Sequence, residues 1–241
     1  MAGKFLRGAL VEFMPTFLVP LPNVIVFQFN PETMTHTWTQ AEAAQRSATR
    51  AQTNPLAVRG TPAESFSFTL AVDAGDMIAD GGPATSAIAQ VSGVYSRLAA
   101  LEMLLYPTPS SGGGLVGSVS AAAGAAGAAV GGSDSTSTDR SVPASQVPVV
   151  LFVWGPGRIV PVRVTGLTIT EKLYDELLNP THAEALINMR VLTPEELAAV
   201  TGPMKDIAKV AYTYSQDLRQ ALAIANLAES AESIIGMLPI G

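Results

Sequence analysis

The sequence contains no cysteine, which excludes disulfides, thiolate metal sites and cysteine nucleophiles. Charge is scarce: Asp, Glu, Lys and Arg make up 14% of 241 residues, against about 25% in an ordinary soluble domain. The 14 basic residues are outnumbered by 20 acidic ones, for a net charge of −6. They form no run, so the electrostatic footprint of a nucleic-acid binder is missing and no nucleic acid is expected as a partner. Histidine occurs only twice, at His36 and His182. Neither has a second histidine or a carboxylate at ligand spacing, so no metal site is expected. The first residues, Met1 to Arg7, lack a sustained apolar core followed by a small-residue cleavage site, and no signal peptide is read there. Low charge beside 48% hydrophobic residues suits a subunit whose surface is covered by neighbours, where charged side chains are depleted. The plainer source of that apolar count is a chain rich in Ala and Gly, which raise it without building a core.

One uncharged stretch, Gly112 to Gly132, imitates a membrane span. A spanning helix needs about 20 predominantly apolar residues, and this stretch is mostly Gly, Ala and Ser. Each Gly costs about 1 kcal/mol in a helix interior. The segment therefore reads as part of a low-complexity linker over 110–145, whose composition cannot offset its own ordering entropy, and no direct membrane contact is expected.

Around that insert the chain divides into four parts: 1–109, the first part of a β-structure with a helix; 110–145, the insert; 146–200, the second part of the β-structure; and 201–241, a helical tail. Leu6 to Phe13 opens the strands. In Asn23 to Phe29, Ile25, Phe27 and Phe29 share one face. Asn30-Pro31 marks a turn, and Thr33 to Thr39 resumes in β-rich composition, so these runs are predicted to form a hairpin. Glu42 to Gly60 is polar and reads as a loop. Glu64 to Asp73 alternates cleanly through Phe66, Phe68, Leu70 and Val72. From Pro83, Ile88, Val91, Tyr95, Leu98, Leu101 and Leu105 recur at helical spacing, and Tyr106-Pro107 ends the run.

After the insert, Val149 to Trp154 is continuously apolar, the pattern of a strand buried on both faces. Gly155-Pro156-Gly157 turns the chain. Arg158 to Thr170 then runs apolar through Val160, Val162 and Val164 and shifts phase to Leu167 and Ile169, which predicts a bulge at Gly166. Ala183 to Leu192 alternates again. Thr193-Pro194-Glu195-Glu196 starts a helix, and the tail from Met204 carries a stripe through Ile207, Ala211, Tyr214, Leu218, Leu222 and Ala225. The predicted fold class is α+β, mainly β: an antiparallel barrel or sandwich with one packed helix and a C-terminal helical extension.

Catalytic chemistry finds no frame. No Gly-x-Ser-x-Gly elbow surrounds any serine, and no glycine-rich segment has phosphate-loop spacing. The paired carboxylates Asp73 with Asp76 and Glu171 with Asp175 sit beside turns or strand ends, where acids are commonly solvated. Trp38 and Trp154 read as core or subunit-contact aromatics. No catalytic residue, cofactor-binding residue or cofactor is expected.

Several segments, in order, resemble one family. Val26-Phe27-Gln28-Phe29-Asn30-Pro31-Glu32 is similar to the FQFNPE opening of the contractile injection system tube-protein domain. Ser65-Phe66-Ser67-Phe68-Thr69-Leu70 resembles its next strand, Leu101 to Pro107 its LxxLxYP helix end, and Val149 to Gly155 its PxxLFxWG strand. Val162 to Glu171, followed by Leu178-Asn179-Pro180 and Val191-Leu192, matches VRVTSLSITE…LNP…A…VL in order and spacing. The resemblance spans roughly 5–200. It implies a tube-type β-barrel that forms sixfold rings between inner tube and spike in the baseplate of phage-tail-like particles. Many relatives carry a LysM domain after the barrel; this tail has no Tyr-x-Val and no Gly-Asp-Ser/Thr-Leu, so peptidoglycan binding is not carried over.

The expected function is structural and non-enzymatic: a ring joining tube to spike, assembled in the cytoplasm within a phage-tail-like particle that is released. Expected partners are further copies, as a hexamer, the inner-tube protein, the spike protein and other baseplate subunits. Candidate assembly contacts are Asn30, Pro31, Arg163, Gly166, Asn179 and Pro180. The competing readings are a repeated inner-tube subunit, or another tail-tube protein, and a small-molecule-binding or enzymatic barrel.

Overall fold

A computed structural model describes residues 6–14, 21–40, 58, 60–80, 82–107, 147–200 and 204–237. The predicted insert at 110–145 and most of the predicted loop at 42–60 lie outside the described residues. Seven strands form one sheet: β1 (Ala9–Met14), β2 (Leu21–Val26), β3 (Met34–Thr39), β4 (Ala63–Asp73), β5 (Val150–Val153), β6 (Ile159–Tyr174) and β7 (Pro180–Val191). Their order is β2-β1-β5-β6-β7-β4-β3, antiparallel throughout. Three helices, α1 (Ala74–Asp80), α2 (Pro83–Ser92) and α3 (Tyr95–Met103), follow β4, and α4 (Pro194–Ala199) and α5 (Met204–Met237) follow β7.

The sheet is not closed. No ladder joins its edge strands β2 and β3, and there is no second sheet among the described residues, so neither a closed barrel nor a sandwich is present. Helix and strand are about equally represented, which corrects the mainly-β expectation: α5 alone has 34 residues. The predicted hairpin of β2 with β3 is also absent. These consecutive strands lie at opposite edges because β3 pairs with β4 instead, Met34 opposite Phe68 and Thr39 opposite Ala63.

The sheet is nevertheless strongly curled. The Gln28 side chain, just past β2, donates to Asp73 O (2.9 Å) and accepts from Asp73 N (3.0 Å) at the end of β4. One amide thus stands in for a missing rung of ladder. The inner face gathers rings from distant strands: Phe66 and Phe68 on β4 lie 5.2 and 5.5 Å from Phe152 on β5, and Phe27 lies 5.5 Å from Phe68. Leu10, Val160, Val162, Ile187 and Met189 complete this core, and Leu101 and Leu104 of the α3 segment pack into it. Gly8 is required where the chain enters β1, since a Cβ there would stand 2.7 Å from the rings of Phe27 and Trp154.

The helix predicted from Pro83 is two helices. Gly93 has φ +57° and ψ −132°, a positive-φ conformation open to glycine, and it ends α2. Val94 N then donates to Pro180 O at 2.9 Å. The break moves the buried stripe: Ala89, Val94, Leu98 and Leu101 are buried, whereas Ile88, Val91 and Tyr95 are exposed. The preceding α1 was not foreseen; Asp73 Oδ1 caps it, accepting from Gly75 N (2.8 Å) and Asp76 N (3.3 Å).

β5 is buried on both faces as its composition requires: Phe152 points into the core, and Leu151 meets Met204 and Ala211 of α5 on the outer side. α4 begins with the predicted cap, Thr193 Oγ1 accepting from Glu196 N (3.4 Å) and Glu196 Oε2 from Thr193 N (3.0 Å). The buried stripe of α5 runs Met204, Ala208, Ala211 and Ser215. The expected stripe shared only Ala211 with it, and Ile207, Tyr214 and Leu222 are exposed.

Candidate assembly surfaces

The two histidines are each held by one carboxylate from far along the chain. His36 Nε2 lies 2.7 Å from Glu64 Oε1, and its ring stacks on Phe66 (4.0 Å) and lies tilted against Trp38 (3.6 Å). Glu64 is 5% exposed. Arg219 of α5 grips its carboxylate with both terminal nitrogens, one at 2.9 Å from Oε2. Burial pushes the His36 pKa down; the bond to Glu64 opposes this, while Arg158 and Arg219 add to it. This cluster fastens α5 to the β3–β4 edge. His182 Nδ1 meets Asp73 Oδ2 at 3.1 Å. Among the described residues no group of three or more His, Cys, Asp or Glu is placed to hold a metal ion, and no helix is long and apolar enough to cross a membrane.

The residues expected at assembly contacts fall into two kinds. Asn30, Asn179 and Pro180 are engaged within the chain. Asn30 accepts from Gly8 N (2.9 Å) and donates to Leu6 O (2.8 Å), tying the crossing between β2 and β3 to the start of β1. Pro31 follows it in the same crossing, half-buried. Asn179 Nδ2 bonds Asp175 Oδ2 (2.9 Å) and Val91 O (3.1 Å), and buried Pro180 receives Val94 N. These residues join the β6–β7 hairpin to the α2–α3 corner.

The second kind is on β6. The register shifts between Val164 and Gly166, as the phase change predicted, and Thr165 is the extra residue, its hydroxyl donating to Asn188 O at 3.1 Å. Gly166 itself does not adopt a left-handed φ, so the backbone there is not strained. Arg163 is exposed, opposite Arg190. Arg190 is neutralised by Glu196 at 2.6 Å, whereas Arg163 makes no ion pair among the described residues.

Two groups of exposed apolar side chains stand out, the first of them where the sequence pattern did not place one. β6 and β7 extend past the core to a tip carrying Leu173, Tyr174, Leu177 and Leu178, between 54% and 79% exposed. Leu173 (φ 54°) and Leu178 (φ 64°) occupy the left-handed region, a conformation that costs a non-glycine residue about 1–3 kcal/mol. Asp175 holds this turn: its Oδ1 accepts from Leu177 N and Asn179 N, both at 2.8 Å. The bonds from Asn179 hold its carboxyl below the usual range. The second surface is the outside of α5, where Ile207, Val210, Tyr214, Leu222, Ile224 and Leu227 are exposed. The signal for the tip was Leu-Tyr and Leu-Leu set among Glu171, Lys172, Asp175 and Glu176, an apolar run too short to show a period.

The chain matches no family model, and a comparison with curated proteins finds no match.

Proposed function

We propose that this chain is a structural ring subunit of a contractile injection particle, placed in the baseplate between inner tube and spike and assembled in the cytoplasm. Its partners are further copies, the inner-tube protein, the spike protein and other baseplate subunits. The observation that carries this reading is the β6–β7 tip: four large apolar side chains held in solvent by a turn with two left-handed leucines. A monomer gains nothing from that arrangement, whereas exposed apolar patches rimmed by polar residues mark interaction sites. The ordered series of tube-protein-like segments supports the particular class. Its FQFNPE-like segment forms the crossing that bridges the sheet opening. In this reading the curled sheet is a tail-tube-type barrel whose seam is joined by Gln28 and the crossing rather than by a ladder.

Deleting the chain from producing cells tests the reading. Assembly is expected to stop at the baseplate, leaving no contraction-competent particles, and complementation should restore them. Normal particles without the chain would contradict it.

A further inference from the structure

The β6–β7 ribbon has an unlike feature at each end. At one end is the apolar tip. At the other, where Val162 pairs with Val191, is a groove of about 310 Å³ lined by Val147, Pro148, Val149, Leu192, Ala199 and Val200, with Arg163 and Glu196 as its charged residues. Glu196 is already bonded to Arg190 and to the Thr193 amide. The unpaired charge in this groove is therefore positive, on Arg163. The tip carries the opposite sign. Lys172 is paired with Glu184, and Asp175 is engaged in its own turn. Glu176 is exposed and makes no ion pair among the described residues.

We propose that the groove beside Arg163 is the socket for the β6–β7 tip of a second copy of this chain, with Leu177 and Leu178 entering it and Glu176 meeting Arg163. The occupant follows from complementarity in shape, polarity and charge carried on one molecule. The two features cannot meet within a chain, since Val162 and Tyr174 are separated by about 40 Å of strand at ~3.3 Å per residue. The contact joins different patches on the two copies, so it repeats from copy to copy. It closes into a ring if the rotation allows and runs on as a filament if it does not. The strained leucines gain a purpose here, because they fix the tip in its docking shape before the partner arrives. This proposal rests on the ring reading for its partner and adds which surfaces meet.

The absence of native cysteine makes a direct test available. Leu177 and Ala199 are both exposed, so Leu177→Cys and Ala199→Cys leave the core untouched. Under mild oxidation the purified full-length double variant should form a ladder of disulfide-linked species beyond the dimer. Each single variant can reach only a dimer. Adding Glu176→Arg should shrink the ladder several-fold, and Arg163→Glu together with Glu176→Arg should restore it. A double variant that stops at the dimers of its single parents overturns the proposal. So does an Ala199→Cys thiol shielded from maleimide in the monomer, which would place the chain's own residues in the groove. A ring visible by native mass spectrometry without a ladder rejects this contact and keeps the ring reading.

Discussion

Gly93 is the residue on which the corner between α2, α3 and the β6–β7 hairpin turns. It combines φ +57° with a backbone so close to Pro180 that a Cβ would stand 2.2 Å from its carbonyl oxygen. Gly93→Ala should therefore lose more than the ~1–3 kcal/mol of positive-φ strain alone, because the hydrogen bond from Val94 to Pro180 must also shift. Gly166→Ala meets only the Asn188 side chain, no nearer than 3.4 Å, and should stay within about 0.5 kcal/mol of the parent. Urea unfolding of both variants checks the contrast, and equal stabilities would contradict it. His36 makes a second residue-scale expectation. Its folded pKa lies below the ordinary 6.5, so on acidification the unfolded chain takes up a proton that the folded one refuses. Stability is then fully present above pH 6.5 and declines as pH falls from there toward the folded value. Buried Glu12 works the other way, its pKa raised by burial, so its contribution falls as pH rises above the ordinary 4.5. The His36 part is isolated by His36→Gln, which should flatten the loss of stability as pH falls below the ordinary 6.5 in paired denaturation curves; an unchanged slope would contradict it.

Among the elements, α5 shows most clearly how one helix serves two ends. Its first half packs on β5 and β6 and is pinned by Arg219 to Glu64; Gln220 to Leu227 is exposed on every side. Removing one partner of a buried ion pair costs about 3–5 kcal/mol. Arg219 is about one-third exposed, so Arg219→Ala should lose less, about 2–3 kcal/mol. Hydrogen exchange should quicken along α5 while β4 to β7 stay protected, and uniform exchange across the sheet would mean that α5 is not separately fastened. How far the sequence reveals these elements depends on the range of the interaction. Strict alternation in β4 and β7, the buried run of β5, the bulge of β6 and the Thr193 cap are local, and each was legible. The helix break at Gly93 is set by Pro180, far along the chain, and the helical period ran straight through it. β3 could not be assigned to β4 rather than β2 because strand composition does not encode a partner. The candidate site divides in the same way. Arg163 stood out by alternation, but Asn30 and Asn179 signalled turns whose inward bonds only the fold displays. The tip leucines were hidden in a run too short to have a period.

For the whole molecule, the curled open sheet, the projecting hairpin and the long helix make a body with two apolar outworks on a chain poor in charge. Arg163→Glu should leave the isolated chain folded, because the side chain is exposed. It should sharply reduce particle yield, since like charges juxtaposed at an interface cost several kcal/mol. Circular dichroism of the isolated chain and particle counts from the producing strain read the two halves of that expectation. Normal particle numbers would return Arg163 to the solvated surface. The central claim is tested most directly by a reconstruction of the intact particle with this chain located in it. The account predicts one symmetric ring, sixfold, at the junction of inner tube and spike; isolated single copies, or this chain repeated along the length of the tube, would contradict it.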